Sequence, residues 1–150
     1  MNIIEYCTEE VKRQGHTIKN LDGIQRVGWM LEAWSYALQV SSNSLLIGDV
    51  LVIGRMIEPA KNEGGFRTVP VWVGSKPCLP AIEISSHMET LFRNKSALNP
   101  FEFYRALLEI HPFIDGNGRS AKVVLNWLNG TLLTPVFPPN DFWGYPIRNP

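Results

Sequence analysis

The stretch HPFIDGNGRS at residues 111–120 lies between two segments with helical periodicity, and it constrains the fold more than any other part of the chain. Gly116 and Gly118 carry no side chains, so the backbone can curl there and present its N–H groups. The second helix begins at this point, and a helix start favours anions because its first amides lack partners and its dipole is positive. The stretch therefore predicts a turn between two helices that can hold phosphate groups.

The remaining side chains of this stretch fit a phosphate site with an acid–base group beside it. Arg119 can bind two phosphate oxygens through its guanidinium, and Asn117 can donate a hydrogen bond to another. Asp115 offers the oxygen ligands that Mg²⁺ prefers. His111 is largely neutral near pH 7 and can remove a proton from a hydroxyl group. Phe113 is interpreted as the anchor that holds this loop to the core, and the alternative reading is a tight turn without a ligand.

Apolar periodicity predicts six helices and therefore a mainly α fold. Asn99 followed by Pro100 is a strong helix start, and Asp22 is predicted to cap an earlier helix. The only strand-like run is FRTVPVWV at 66–73, which predicts a small exposed hairpin. An exposed strand edge can stay unused or can pair with an extended segment of another chain. The predicted helices span 3–14, 23–40, 45–57, 82–95, 99–110 and 117–129.

Composition predicts one domain over residues 1–150, with a proline-rich C-terminal tail at 134–150. Apolar residues make up 45% and charged residues 19% of the 150 positions, as is usual for globular proteins. The formal net charge of zero argues against a nucleic-acid or membrane-surface partner. Cys7 and Cys78 match no metal spacing and are predicted to be free thiols. Without a signal-peptide pattern or a membrane-length apolar run, we expect a cytoplasmic protein.

Residues 111–119 match the signature of the Fic family, H-P-F-x-[DE]-G-N-G-R, at every position. The chain therefore resembles this family, and the resemblance covers about residues 24–130, because the predicted helices follow the family's order. Residues 66–74 resemble the family's hairpin, which is called the flap. The resemblance implies a Fic-fold helical bundle with a small β-hairpin flap. It also implies the transfer of AMP from ATP to a Ser, Thr or Tyr hydroxyl of a target protein.

The resemblance also implies roles for individual residues. His111 would be the general base, Asp115 would hold Mg²⁺, and ATP would be the substrate. The residues that would bind the nucleotide's phosphates are Gly116, Asn117, Gly118, Arg119 and Lys122. The flap residues that would register the target segment by strand pairing are Phe66, Arg67, Thr68, Val69 and Val71.

Two departures from the family pattern bear on activity and regulation. Many members carry a second Arg after the signature that serves the γ-phosphate, whereas this chain has Lys122. Many members are also restrained by the Glu of a helical motif, [ST]-x-x-x-E-[GN]. The nearest match in a predicted helix, SYALQV at 35–40, has Gln39 where that Glu would be. Since Gln cannot form the ion pair, we expect self-inhibition to be absent or weak, and restraint by a separate inhibitory protein is a hypothesis.

Two alternative functions stay open. The first is a catalytically idle nucleotide-binding or interaction module, which the Lys122 departure and the proline-rich tail favour. The second is a Fic enzyme that transfers another nucleotide or phosphate-linked group, because the sequence does not show which side chains select the base. A related phosphotransferase branch has bulkier residues in place of the loop glycines. The intact Gly116 and Gly118 therefore favour nucleotidyl transfer over that reaction.

Overall fold

The computed structural model describes residues 1–139, so the predicted tail lies outside the described residues from position 140 onward. This part of the chain forms six α-helices whose bounds lie within two residues of the predicted ones. They are α1 (Ile3–Arg13), α2 (Leu21–Val40), α3 (Ile47–Ile57), α4 (Ile84–Arg93), α5 (Pro100–Ile110) and α6 (Asn117–Leu128). The prediction of a mainly α fold is confirmed. No helix within residues 1–139 combines the length and the hydropathy that crossing a bilayer requires.

The N-terminal caps of α5 and α2 test the two capping residues predicted from the sequence. At α5, the side chain of Asn99 accepts from the Glu102 amide at 2.9 Å, and the Glu102 carboxylate accepts from the Asn99 amide at 3.1 Å. This reciprocal capping box confirms the predicted start. At α2, the cap is Asn20, whose side chain accepts from the Gly23 amide at 3.0 Å. The prediction of Asp22 as this cap is wrong, because Asp22 already lies in the first turn of the helix.

The predicted hairpin is present but much shorter than the strand-like run. Strands β1 (Trp72–Val73) and β2 (Lys76–Pro77) pair in antiparallel register. The prediction of a strand over 66–73 is therefore wrong for residues 66–71. The backbone of this segment pairs with the loop after α5, where the Arg67 amide donates to the Pro112 carbonyl at 2.8 Å.

One apolar core draws buried residues from all six helices, and it runs from Tyr6 in α1 to Leu132 beyond α6. Two buried aromatic side chains tie the segment after α6 to it. Trp34 donates its indole N–H to the Leu132 carbonyl at 2.8 Å, and Tyr6 donates its hydroxyl to the Val136 carbonyl at 2.8 Å. Helix α1 and the segment that follows α6 are therefore part of the same packed body as the predicted core region, 24–130.

Helix α3 approaches the loop after α5 closely at Gly54. A Cβ atom at this position would lie 2.1 Å from the ring of Phe113, a residue that is only 1% exposed. At Gly48, one end of the same helix, an added Cβ would meet no described atom within 4 Å. The absent side chain at Gly54 thus makes the space that the Phe113 ring fills.

We expect Gly54→Ala to lower the free energy of unfolding, because the new methyl group and the Phe113 ring cannot share this space. Overpacking of this kind costs about 1–3 kcal/mol, which outweighs the gain of up to about 1 kcal/mol in helix propensity. Gly48→Ala is the matched control, and we expect it to be neutral or slightly stabilising. Urea unfolding of both variants measures this, and equal midpoints for the two would contradict the close contact.

Candidate active site

Residues 111–119 comprise the loop after α5 and the first three residues of α6, and this segment is called the signature loop below. It begins with His111 in the left-handed conformation (φ 52°) and reaches α6 through Gly116, also left-handed (φ 75°). A Cβ on Gly116 would lie 2.5 Å from a methyl group of Ile57, so only glycine fits there without a shift. The side-chain carboxamide of Asn117 closes the turn, since its Oδ1 accepts from the Phe113 N–H and its Nδ2 donates to the Phe113 carbonyl, both at 2.9 Å. The loop thus has a fixed shape that ends at the start of α6.

The imidazole of His111 lies at the end of α5, on one side of this loop. Its Nδ1 is 3.3 Å from the carbonyl oxygen of Leu108. If Nδ1 carries the proton in this contact, Nε2 keeps the lone pair that a base needs. Burial lowers the pKa of His111, with the Leu108 carbonyl acting in the opposite direction. The ring is therefore neutral near pH 7, as a general base must be.

Arg67 connects the predicted flap to the signature loop. Its side chain is buried, and its guanidinium donates to the carbonyls of His111 at 2.7 Å, Leu79 at 2.6 Å and Val69 at 3.0 Å. The structure thus places Arg67 inside the protein, as the link between the two segments. The other flap residues named by the sequence are exposed or half-buried: Thr68 and Val69 are exposed, and Phe66 and Val71 are half-buried.

Asp115 is a partly exposed carboxylate with a cation beside it. Its Oδ1 accepts from the Gly116 amide at 2.8 Å, and its Oδ2 accepts from Lys61 Nζ at 2.7 Å. Arg119 Nη2 lies 3.7 Å from Oδ1. Burial by itself raises the pKa of Asp115, but these three groups outweigh it and the pKa lies below its ordinary value. The group is an anion at neutral pH.

The chemistry of Asp115 fits a Mg²⁺ ion that also binds phosphate. Within residues 1–139 there is no group of three or more His, Cys, Asp or Glu side chains that could hold a metal ion. Mg²⁺ at nucleotide sites commonly uses only one or two carboxylates and takes its other ligands from water and phosphates. A single ionised, accessible carboxylate beside a helix start meets that requirement, and a metal site built from protein ligands alone is not formed by the described residues.

Arg119, in the first turn of α6, pairs with a buried carboxylate. Glu58, at the end of α3, is 3% exposed. One of its oxygens, Oε2, accepts from Arg119 Nη1 at 2.8 Å and from Arg26 Nε at 2.9 Å. The guanidinium that the sequence assigns to phosphate binding thus contacts Glu58, and this carboxylate joins α2, α3 and α6 at one point.

Lys122 also pairs with a buried carboxylate. Its Nζ lies 2.7 Å from Glu10 Oε2 and donates to the Tyr104 hydroxyl at 3.1 Å. Burial raises the pKa of Glu10, opposed by Lys122. For Lys122, burial acts to lower the pKa, but Glu10 and Tyr104 outweigh it and the net shift is upward. We infer an ionised pair, which holds α1 against α6.

The C-terminal end of α1 lies on the start of α6. A Cβ on Gly118 would be 2.7 Å from Nε2 of Gln14, the residue that ends α1. The three defined positions of the pattern [ST]-x-x-x-E-[GN] would fall here on Glu10, Gln14 and Gly15, so only the final glycine matches. The segment 35–40, which the sequence named as the nearest match, does not lie at this site. Gln39 lies 13 residues beyond Arg26, the residue of α2 that contacts Glu58, and this is about 20 Å along the helix axis.

Three residues after α3 contact the signature loop and were not identified from the sequence. They are Glu58, Lys61 and Asn62. The Asn62 amide donates to the carbonyls of Gly54 and Asp115, both at 2.9 Å, and so fixes the loop against α3. In the sequence this region shows only a helix stop at Glu58-Pro59 and a polar, glycine-containing run, and neither signal indicates which side chains are buried.

Comparisons with known proteins assign the family. The Fic/DOC family model matches residues 44–129, which is more than half of the chain. The chain therefore belongs to the Fic/DOC family, and the resemblance predicted from the signature is confirmed. The protein adenylyltransferase Fic of Nematostella vectensis is 30% identical over 111 residues, which are 65% of this chain and 25% of that protein.

Solved structures of Fic proteins share the fold. Fic-1 from C. elegans superimposes with a TM-score of 0.73 at 20% identity, over 88% of this chain and 49% of that chain. A Fic domain containing signaling protein from Bacteroides thetaiotaomicron gives 0.69 at 18% identity, over 97% of this chain and 64% of that one. These likenesses confirm the predicted fold class. The chain spans about half of the C. elegans structure and a quarter of the Nematostella protein.

We expect Glu58→Gln to destabilise the protein strongly, because it leaves the buried Arg119 guanidinium facing an uncharged amide, while Arg26 keeps only its exposed partner Asp22. Breaking a buried ion pair in this way costs about 3–5 kcal/mol. The control is Glu109→Gln, which removes a 60% exposed carboxylate from its pair with Arg105 and should cost less than about 1 kcal/mol. Urea unfolding measures both, and a Glu58 variant as stable as the control would show that the shared carboxylate carries little stability.

Proposed function

We propose that this protein transfers AMP from ATP to a hydroxyl group of a target protein. The observation that carries the proposal is the arrangement of the signature loop. A neutral imidazole lies at one end of this loop, an ionised Asp115 lies within it, and the positive end of a helix dipole lies at the other end. Membership of the Fic/DOC family and the likeness to a protein named an adenylyltransferase support the same conclusion.

In the proposed reaction, Nε2 of His111 takes the proton of the target hydroxyl as its oxygen attacks the α-phosphorus. The new oxygen–phosphorus bond forms as the bond to the β-phosphate breaks, and pyrophosphate leaves with the electron pair of that bond. The lowered pKa of His111 keeps the base unprotonated at neutral pH. General-base assistance of this kind contributes about 10²–10⁴-fold to a rate.

The start of α6 supplies the phosphate site in this proposal. The backbone amides from Gly116 to Gly118 would bind phosphate oxygens, with the helix dipole adding attraction. Asp115 would hold Mg²⁺, which neutralises phosphate charge when it is bound. Direct contacts from Arg119 and Lys122 to phosphate stay a prediction. They require each side chain to leave its buried carboxylate, because in the present pairs that carboxylate offsets the positive charge.

The target segment would lie along the flap. Thr68 and Val69 are exposed on the segment that leads to the hairpin, and Trp72 at the start of β1 is 59% exposed. Because Arg67 holds this segment to the carbonyl of His111, a target strand that pairs with it would be placed at a fixed distance from the base. The docking roles of the flap residues are part of this proposal.

We expect His111→Ala to abolish labelling of proteins by ATP that carries label on its α-phosphate, while ATP affinity changes less than about threefold. The variant removes the base and leaves the phosphate site intact. Labelling of a host lysate and of the protein itself, read by gel and mass spectrometry, measures the first effect, and calorimetry with Mg²⁺ and ATP measures the second.

His87→Ala is the control, because His87 is an exposed histidine on α4. We expect it to label as the unaltered protein does. Labelling by the His111 variant at the control's level would eliminate His111 as the base. If the unaltered protein binds ATP but labels nothing, the idle-module alternative is correct, and a different added mass would identify another transferred group.

We also propose that α1 restrains the enzyme only weakly. The residue that lies against the start of α6 is Gln14, the C-cap of α1, whose uncharged amide cannot repel phosphate or pair with a cation as a carboxylate can. This observation supports the expectation that self-inhibition is absent or weak. The residue on which that expectation rests is now Gln14 at the end of α1, in place of Gln39 in α2. Restraint by a separate protein stays a hypothesis.

We expect Gln14→Glu to weaken binding of Mg²⁺–ATP by at least about tenfold, because it puts a carboxylate beside the amides that would hold phosphate. Gln14 is exposed, but its Nε2 donates to Oε1 of the buried Glu10 at 3.4 Å, so the urea midpoint of each variant is measured beside the affinity to show that the fold is kept. Gln14→Ala is the control and should change affinity by less than about threefold. Calorimetry on the three proteins tests this, and equal affinities would mean that phosphate does not approach Gly118.

A further inference from the structure

Besides Arg26, three cationic side chains pair with carboxylates in or behind the signature loop, and their pairs differ in exposure. In two of them every side chain is less than a tenth exposed. These buried pairs are Arg119–Glu58 and Lys122–Glu10. In the third pair, the side chain of Lys61 is 49% exposed and that of Asp115 is 36% exposed.

Exposure decides which cation can leave its partner at low cost. An exposed ion pair adds little to stability, since water solvates both groups when they separate. Separating a buried pair leaves an uncompensated charge in the interior and is strongly unfavourable. Of these three cations, Lys61 is therefore the one that exchanges partners readily.

Lys61 contacts the oxygen of Asp115 that a metal ion would need. The Gly116 amide donates to Oδ1, and the ammonium of Lys61 donates to Oδ2 at 2.7 Å. A Mg²⁺ ion would bind a carboxylate oxygen at about 2.1 Å, and it would repel an ammonium held on the same group. Metal and ammonium therefore compete for Asp115. Asn62, which is hydrogen bonded to the Asp115 carbonyl, keeps the backbone of Lys61 beside the loop after the ammonium has left.

We infer that Lys61 is an exchangeable cation of the active site. It holds the Asp115 carboxylate while no nucleotide is bound, and it moves its ammonium to the phosphates when a divalent cation takes Asp115. The inference rests on the proposed function, and it has two consequences of opposite sign. Lys61 weakens the binding of a metal ion alone and strengthens the binding of a metal–triphosphate complex.

The test is Lys61→Met, which keeps much of the aliphatic stem and removes the charge. Binding of Mn²⁺ to the full chain without nucleotide, followed by the electron paramagnetic resonance signal of the free ion, should become about two- to fivefold tighter. Binding of a non-hydrolysable ATP analogue with Mg²⁺, measured by calorimetry, should become at least about fivefold weaker. Lys61→Arg keeps the charge and should resemble the unaltered protein in both measurements.

The matched control is Arg105→Met, which also removes one cation from an exposed pair, Arg105–Glu109. It should change neither affinity, and a shift equal to that of Lys61→Met would show a general charge effect and overturn the inference. An unchanged affinity for Mn²⁺ or for the analogue in Lys61→Met would also overturn it.

A further variant separates this inference from the proposed function. Asp115→Asn should abolish Mn²⁺ binding. If it does so while Lys61→Met has no effect, the metal assignment of the proposed function stands and only the role of Lys61 falls. If Asp115→Asn leaves Mn²⁺ binding unchanged, the metal assignment and the inference fall together.

Discussion

The site depends on one buried carboxylate. Glu58 accepts hydrogen bonds from Arg26 of α2 and Arg119 of α6 through the same oxygen atom. A charge buried in the interior is unfavourable unless it is paired, so the Glu58 carboxylate is stabilised by both guanidinium groups, of which Arg26 also pairs with the exposed Asp22. The start of α6 cannot shift relative to α2 and α3 without breaking these pairs. The position of the proposed phosphate site is therefore coupled to the packing of the helices.

Neutral contacts give the loop its shape once Glu58 has fixed its position. The Phe113 ring fills the space beside Gly54, and two carboxamides, those of Asn62 and Asn117, satisfy the backbone of the loop. These groups are buried and contact protein rather than solvent. The loop therefore needs little ordering when a ligand arrives, which lowers the cost of binding. The exposed Lys61–Asp115 pair is the part of the site that can rearrange easily.

The local features of this fold could be predicted from the sequence, and the long-range ones could not. Helical periodicity gave all six helices, because each buries a stripe of apolar residues, and the capping box at Asn99 depends on residues three positions apart. The prediction of a strand over 66–71 was wrong, because the side chain and the amide of Arg67 are hydrogen bonded to the signature loop instead of to a neighbouring strand. His111 and Asp115 could be predicted as site residues because both lie in the signature, within five positions of each other.

The side chains that contact the signature loop from elsewhere in the chain had no local signal. Glu58 lies 61 positions from Arg119, and Lys61 lies 54 positions from Asp115. A Glu or a Lys in a polar sequence is usually solvated, so its type alone does not indicate a buried or functional contact. Gln14 illustrates the same limit, because the segment around it matches the inhibitory pattern only at Gly15 and therefore carries no signal of its own. Only the packing of α1 against α6 identifies it.

We propose that the start of α6, held in place by Glu58, receives the phosphates of a nucleotide beside His111. The most direct measurement is a two-dimensional ¹H–¹⁵N NMR titration of the full chain with Mg²⁺ and a non-hydrolysable ATP analogue. We predict that the largest saturable shifts occur at the amides of His111, Gly116 and Gly118, with little change at Gly130 beyond the other end of α6. Saturable shifts confined to other parts of the chain, or none at these amides, would contradict the claim.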